Sequence, residues 1–368
     1  MGTDSPESEV VEASTKYRTN PLLLVYPARI ANGRQLIAEI SSSLPPLLVR
    51  DSRFVWAISG LPEEYTQSDA YALWAAEPRV FEERSSIWTL AIETGVVVPL
   101  SATGDTIRRY DAWHGRNWDE AALYNEATRD YPFVPMDQPG AVAVDTRRMA
   151  EYRREADPPC VYQTFPACDS TRLARLDPNQ RISTQIDVLS SDSRRSLPGL
   201  GLFFDICFGE RGKLEWGVQG TFLHKSIPSG GARHPTEVFL VAFRVPELAP
   251  GVYHYNVQHH RLDCIAPGDY ELQVKNATYD LFLRCETPPI ACLVFTSLYE
   301  RAMWRYREAR SWRAVLIDVG HALAAYRRVA EHLGFRCSAL QKFDDSAISQ
   351  LLNLDARRQT PLFIGSLV

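Results

Sequence analysis

The chain has 368 residues, of which 45% are hydrophobic and 23% are charged, and its formal net charge at pH 7 is −5. This composition is typical of a folded globular protein, and the length is sufficient for two domains. The negative charge argues against nucleic-acid binding by the protein as a whole, and no apolar run approaches the roughly 20 residues that a membrane helix needs.

The seven cysteines and eight histidines form no recognisable pattern, because neither a C-x-x-C pair nor an H-x-x-x-H spacing occurs. We therefore expect thiols rather than disulfides, and no metal site. The apolar run at residues 22–26 is too short for the core of a signal peptide, and the segment before it is acidic. These features favour a cytoplasmic protein without a membrane partner.

The N-terminal third predicts a tail followed by a small domain. Residues 1–20 are polar and acidic without an apolar period, which is typical of a disordered tail. Residues 21–137 predict a small α+β accessory domain, with strands at 22–26 and 54–58 and a helix at 118–129. Residues 138–180 are rich in proline and charge, which predicts a linker to a second domain at 181–368.

The second domain is organised around residues 225–256. Pro228, Ser229, Gly230 and Gly231 form a tight loop, in which glycine can adopt positive φ and bring backbone N–H groups close to a ligand. The apolar run at 238–243 predicts a buried strand, and a Pro-Gly turn leads into a second strand at 252–255. The residues alone therefore indicate a loop followed by a hairpin.

Further motifs flank this hairpin on both sides. Arg181, Ser183, Gln185 and Asp187 open the domain in the order R-I-S-T-Q-I-D, and Arg305-Tyr306 ends a predicted helix. Residues 311–333 show the clearest helical spacing in the chain and contain L-I-D-V-G-H, in which Asp318 and His321 can pair across one turn. The chain ends with F-D-D, L-L-N-L-D and P-L-F segments.

Together these motifs resemble the SagB-type dehydrogenases of the nitroreductase fold, in particular the branch described as peptide-maturation dehydrogenases. The resemblance extends from about residue 181 to the C-terminus. It implies an α+β fold with a mixed sheet flanked by helices, the cofactor FMN and a homodimer. The segment at 118–129 is similar to the end of the family's N-terminal domain. That domain is therefore either a peptide-engaging module or, as composition alone indicates, a simple accessory domain.

The resemblance also assigns roles to individual residues. Arg181 and Ser183 match the positions that contact the flavin phosphate, and the loop from Pro228 to Gly231 matches the one that lies against the flavin ring. Gln185 stands where the family has Arg or Lys, so a phosphate contact is lost unless another cation, such as Arg336 or Lys342, replaces it.

The proposed catalytic pair of the family is Lys-Tyr, and here it is Arg305-Tyr306. Arg305 can supply a positive charge but cannot act as a base, because a guanidinium effectively never deprotonates. Tyr306 is then the residue expected to transfer a proton. His234, beside the loop, either moves protons as well or is a hydrogen-bonded histidine in a packed turn.

Three functions remain open at this point. The first is an FMN-dependent oxidation of azolines to azoles in a precursor peptide, with a cyclodehydratase as partner. The second is a flavin-dependent reduction of a dehydroamino acid or another acceptor, which would use the same pocket. The third is a flavin-poor scaffold that binds a peptide or a partner enzyme, because both Gln185 and Arg305 depart from the family's pattern.

Overall fold

The computed structural model describes residues 15–30, 33–39, 47–50, 52–101, 105–133, 135 and 137–368. The chain divides into two compact units, residues 1–133 and 134–368. Most of the predicted N-terminal tail lies outside the described residues, although Tyr17–Thr19 forms a strand. Within the described ranges, no helix is both long and apolar enough to cross a membrane.

The first unit contains short strands and helices around a small core. Its strands are β1 (Tyr17–Thr19), β2 (Leu24–Ile30), β3 (Gly33–Glu39), β4 (Leu47–Val49) and β5 (Val97–Pro99). Its helices are α1 (Ser52–Ser59), α2 (Gln67–Trp74), α3 (Pro78–Glu82), α4 (Arg84–Glu93), α5 (Asp105–His114) and α6 (Asp119–Ala127). Strand β1 pairs with β5, and β2, β3 and β4 form a second sheet. Trp74 and Trp88 occupy the core, with ring centroids 6.3 Å apart.

The segment at 54–58 was predicted as a strand, but it lies within helix α1. A short apolar run fits either a buried strand or the apolar face of a helix, so periodicity alone does not distinguish the two. In the structure, Ala57 and Ile58 of this segment are buried in the core of the first unit. The predicted helix at 118–129 is present as α6.

The second unit is built on one large sheet. Its strands are β6 (Asp169–Arg172), β7 (Glu210–Glu215), β8 (Thr221–Lys225), β9 (Thr236–Ala242), β10 (Gly251–Asn256), β11 (Arg261–Pro267), β12 (Ala291–Leu298), β13 (Cys337–Leu340) and β14 (Gln359–Leu367). Its helices are α7 (Ala141–Glu155), α8 (Ile182–Asp187), α9 (Ser191–Arg194), α10 (Leu197–Phe208), α11 (Glu271–Ala277), α12 (Glu300–Arg305), α13 (Trp312–His332) and α14 (Asp345–Leu351).

Seven of these strands form the sheet in the order β13-β14-β12-β9-β10-β11-β6, while β7 and β8 form a separate hairpin. The sequence predicts a mixed sheet, but every pairing between the described strands of this sheet is antiparallel. The direction of a strand depends on how the connections between strands run, and residue patterns do not encode it. Every residue of β9 and β12, at the centre, is buried.

Helices cover both faces of the sheet. Alternate residues of β9 point to opposite sides: Leu240 packs with α10 and α13, and Phe239 packs with α11 and α14. Helix α13 contributes Val319 and Ala322 to the first of these cores. The α+β class and the helices flanking the sheet are therefore confirmed.

Residues 138–180 differ from the linker that their composition predicts. They contain the 15-residue helix α7 and strand β6, and β6 pairs with β11 at the edge of the sheet. The compact unit accordingly begins at residue 134. Prolines at 158, 159 and 166 lie between these two elements, where they interrupt neither the helix nor the strand.

Candidate functional site

The loop at residues 228–231, called the PSGG loop below, lies between β8 and β9. Gly231 adopts φ 57°, in the left-handed region that favours glycine. A Cβ atom at this position would lie 2.0 Å from the hydroxyl oxygen of Tyr306. Gly231 therefore both permits the turn and leaves space for the tyrosine.

Helix α13 holds the loop through the buried carboxylate of Asp318. The Ser229 hydroxyl donates to Asp318 Oδ2 at 2.6 Å, and the Gly230 N–H donates to Oδ1 at 3.0 Å. Burial raises the pKa of Asp318, and these two hydrogen bonds oppose that shift. The sequence suggests that Asp318 pairs with His321; the structure instead directs the carboxylate to the PSGG loop.

Tyr306 immediately follows the end of α12 and has an extended backbone, with φ −113° and ψ 101°. The sequence places it in a helix, but the helix stops at Arg305, and the tyrosine side chain then reaches Gly231. The guanidinium of Arg233 interacts with the Tyr306 hydroxyl. The PSGG loop, Tyr306 and Arg233 thus form one cluster, in which the sequence did not single out Arg233 for a role.

Arg305 lies beside this cluster. Its guanidinium carbon is 4.9 Å from the centroid of the Tyr306 ring, and its Nη2 donates to Asp145 Oδ1 at 2.7 Å. Asp145 therefore neutralises much of the charge of Arg305.

A buried ionic network lies behind the loop. Arg301 Nη1 donates to Glu237 Oε1 at 2.5 Å and to the His234 carbonyl at 2.8 Å, and His254 Nε2 donates to Glu237 Oε2 at 3.0 Å. Burial favours the neutral form of Glu237, but Arg301 and His254 outweigh it and lower the pKa of Glu237 to about 2. Since Arg301 belongs to α12, this network ties the helix that precedes Tyr306 to the strand that follows the PSGG loop.

His234 is buried, and its Nε2 donates to the Leu223 carbonyl at 2.9 Å. Burial, with a further contribution from Lys225, lowers the pKa of His234 to about 3. The side chain is therefore neutral at physiological pH, which favours the interpretation as a histidine in a packed turn over a role in proton transfer. Lys225 and His234 line a small cavity of about 10 Å³ beneath the loop, and burial lowers the pKa of Lys225 to about 8.

The residues predicted to hold the flavin phosphate lie at helix α8. Arg181 is its N-cap residue, and both Arg181 and Ser183 are exposed. The Gln185 amide instead closes the preceding turn, because it accepts from the Asp177 N–H at 2.7 Å and donates to the Asp177 carbonyl at 3.0 Å. In the described part of the chain, no hydrogen bond or ion pair joins Arg181 or Ser183 to the PSGG loop.

The two candidate replacement cations have other partners. Arg336 pairs with Glu286 and donates to Thr287. The Lys342 ammonium lies 5.8 Å from the centroid of the Tyr279 ring. Neither contact involves α8. As for metals, the described residues contain no cluster of three or more His, Cys, Asp or Glu side chains suited to holding an ion.

An open groove beside Tyr306 completes the site. Its volume is about 710 Å³, and aromatic and apolar side chains dominate its lining, among them Tyr299, Met303, Tyr306, Trp312 and Val315. This volume is within the range of about 300–1,000 Å³ that small-molecule sites usually have. The cluster therefore combines a phenol, a guanidinium and the PSGG loop, and its phenol, Tyr306, lines an apolar groove.

Comparison with known proteins identifies the class of this domain. Residues 214–366 match the model described as the nitroreductase family. The second unit therefore contains a nitroreductase-family domain, which confirms the family that the sequence motifs predict.

Two curated relatives are named as processing proteins. TfxB, the trifolitoxin-processing protein of Rhizobium leguminosarum bv. trifolii, is 38% identical over 138 residues, which are 37% of each chain. McbC, the microcin B17-processing protein of Escherichia coli, is 27% identical over 146 residues, which are 39% of this chain and 53% of McbC. The matched region thus spans about a third to a half of the length of these relatives.

A solved structure is also similar, the E. coli microcin synthetase McbBCD complex with truncated pro-MccB17 bound. The aligned chain has a TM-score of 0.40 and 18% identity, and the alignment covers 72% of this chain and 92% of that one.

Proposed function

We propose that this protein is an FMN-dependent oxidoreductase that oxidises azolines to azoles in a ribosomally made precursor peptide. The observation that carries the proposal is the contact of the Tyr306 hydroxyl with Gly231 of the PSGG loop, beside Arg233 and at the edge of the apolar groove. The nitroreductase-family match supports an oxidoreductase, and the names of TfxB and McbC support a peptide substrate.

The residues present fit FMN in two respects. The PSGG loop approaches Tyr306 closely at Gly231, and the groove that Tyr306 lines has the size and aromatic lining that a planar ring needs. In this proposal Pro228, Ser229, Gly230 and Gly231 line the ring, and Arg181 and Ser183 bind the phosphate. Gln185 supports the turn before α8 rather than adding a charge, so Arg181 carries the phosphate contact without a second cation at that position.

Azoline oxidation removes a hydride and a proton from the substrate ring. FMN, when bound, accepts the hydride. Tyr306 receives or relays the proton, and the positive charges of Arg233 and Arg305 lie beside it. Asp318 holds the PSGG loop against α13 by hydrogen bonding, and the Arg301–Glu237 pair positions the helix that precedes Tyr306.

The proposal includes a homodimer and a cyclodehydratase partner. Helix α13 supports the dimer: Leu316 and Ile317 are 47% and 58% exposed, and nothing in the described residues lies within 4 Å of a Cβ built on Gly320. An apolar helix face of this kind is suited to a second copy of the chain. Light scattering at micromolar concentration measures the mass directly.

The first experiment is the visible spectrum of the purified protein, followed by identification of any flavin released on denaturation. We expect near-stoichiometric FMN, and we expect Arg181→Ala to lose most of it because the phosphate loses its guanidinium. Arg195→Ala is the matched control, since Arg195 is another exposed arginine of the same unit.

One observation favours a second candidate, a flavin-poor scaffold that binds a peptide or a partner enzyme. The side chain at the expected cation position, Gln185, is engaged with Asp177, and Arg305 is engaged with Asp145. Colourless protein that cannot be reconstituted with FMN would support the scaffold and exclude both the oxidation of azolines and the reduction of another acceptor.

A further inference from the structure

A second pocket, separate from the apolar groove, is lined by Arg233, which also interacts with Tyr306. Its volume is about 450 Å³, and it is bounded by residues 157–161, the turn between β7 and β8, Arg233, and Arg301 and Trp304 of α12. All of these elements belong to the second unit. We call it the arginine pocket, because Arg153, Arg233 and Arg301 all line it.

Two of these arginines retain unused donors. Arg233 Nε and Arg301 Nη2 are buried, and neither has a hydrogen-bond partner among the described residues. The side chain of Arg301 is only 3% exposed. A buried N–H group without an acceptor is unfavourable, so these two guanidinium groups keep donor capacity that the described residues do not use.

The two arginines differ in charge balance. Arg301 is neutralised by Glu237 at 2.5 Å. Arg233 is half-buried over the Phe222 ring, at 4.7 Å from the centroid, and no carboxylate within the described ranges forms an ion pair with it. Its Nη2 donates a long hydrogen bond of 3.4 Å to Gln219 Oε1, and burial lowers its pKa. Arg233 is therefore a half-buried guanidinium of the pocket that has no carboxylate partner among the described residues.

Two acidic residues, Asp157 and Glu215, also line the pocket. Both are exposed, and Glu215 accepts a hydrogen bond from the Thr221 hydroxyl at 2.8 Å. Water and salt screen exposed charges more strongly than half-buried ones. The half-buried charge of Arg233 therefore makes the interior of the pocket more favourable for an anion than for a cation.

We propose that the arginine pocket is a subsite for a carboxylate, and that it selects peptides carrying an acidic side chain near the residue that reaches Tyr306. A guanidinium fork matches the two oxygens of a carboxylate, and Arg233 contacts both the pocket and the Tyr306 hydroxyl. This inference rests on the proposed peptide substrate and adds a specificity-determining residue, Arg233, to it.

The test compares two probes that differ only in charge, the peptides acetyl-Gly-Glu-Gly-amide and acetyl-Gly-Gln-Gly-amide. Binding to the full chain is measured by calorimetry at low salt, with and without added FMN. We expect the Glu peptide to bind about tenfold more tightly or better, because a charge-assisted hydrogen bond is lost with Gln. Arg233→Gln removes the difference between the peptides, and Arg233→Lys, which keeps the charge, retains part of it.

Arg154→Gln is the control, because Arg154 is exposed on α7 and does not line the pocket. Arg301 is left unchanged, since its removal would leave Glu237 buried without a partner. Equal affinity for the two peptides, or a preference that survives Arg233→Gln, overturns the subsite. Binding of NADPH in preference to both peptides overturns it as well, because the anion would then be a phosphate.

The failures of the two proposals can be distinguished. Protein that never binds FMN contradicts the oxidation, while the affinities for the Glu and Gln peptides still decide whether the subsite exists. Yellow, FMN-loaded protein with no preference between the peptides contradicts the subsite alone.

Discussion

Asp318, on helix α13, accepts hydrogen bonds from both the hydroxyl of Ser229 and the N–H of Gly230, at 2.6 and 3.0 Å. The same hydroxyl accepts from the His234 N–H at 2.8 Å. One carboxylate therefore holds Ser229 and Gly230 of the PSGG loop directly, and through the Ser229 hydroxyl it also holds His234, which follows the loop. The conformation of the loop depends on a side chain that is 89 residues away in the sequence.

Asp318→Asn should loosen the loop. The amide can accept only one of the two hydrogen bonds, and its NH₂ group faces a hydroxyl or N–H that previously donated, so we expect a loss of about 1–3 kcal/mol in the free energy of unfolding. Urea denaturation measures it, with the exposed Asp137→Asn as control. Equal stability of the two variants would show that the carboxylate does not hold the loop.

Gly231→Ala and Tyr306→Phe should be energetically coupled. Alanine at 231 has an unfavourable positive φ, which costs about 1–2 kcal/mol, and its Cβ also collides with the Tyr306 hydroxyl oxygen. Phenylalanine at 306 removes that oxygen, and the nearest ring atom would then be 3.1 Å away. We expect the penalty for Gly231→Ala to fall by about 1 kcal/mol or more in the Tyr306→Phe background.

Gly230→Ala supplies the matched control for this cycle. Its Cβ would meet Ala314 at 3.2 Å, and no atom of Tyr306 is among the neighbours within 4 Å. In urea denaturation, the change that Gly230→Ala makes in the free energy of unfolding should therefore simply add to the change made by Tyr306→Phe. Additivity of both pairs would mean that Tyr306 does not occupy the space over Gly231.

Tyr306→Phe should also reduce turnover without loss of the flavin. The ring is retained, so the groove keeps its shape, but the group proposed to transfer the proton is gone, and general acid–base catalysis typically contributes about 10²–10⁴-fold. Single-turnover reduction of the flavin by an azoline-containing peptide measures the rate. An unchanged rate would assign the proton transfer to another residue or to water.

Glu237→Gln should lower stability in a pH-dependent manner. The pKa of Glu237 is lowered from 4.5 to about 2 in the folded protein, so its stabilising effect is complete above about pH 4.5 and is lost as the pH falls towards 2. Removing the partner of buried Arg301 costs about 3–5 kcal/mol. The stability difference from wild type should therefore be largest above pH 4.5 and decrease below it.

Urea denaturation between pH 3 and 7 measures this difference, and Glu331→Gln, at an exposed glutamate, is the control. A difference that is constant over this range would contradict a lowered pKa for Glu237.

Motif order and local chemistry made much of the second unit predictable. The Pro-Ser-Gly-Gly loop, the buried run that became β9 and the long amphipathic helix α13 are all present where the sequence predicts them. Each of these depends on residues that are close together in the chain: glycine for a positive φ, β-branched and aromatic residues for a buried strand, and helical spacing for α13.

Contacts between distant segments were not predictable in the same way. Arg233 interacts with Tyr306, and Arg301 pairs with Glu237, only because the sheet and its helices bring these positions together. The antiparallel direction of all the strand pairings in the large sheet, and the incorporation of residues 138–180 into the second unit, depend likewise on long-range pairing. The sequence by itself determined the nitroreductase-family domain and several of its local elements, because these depend on the types and spacing of neighbouring residues. Only the tertiary structure decided which charges face each other, because that depends on how elements far apart in the chain pack together.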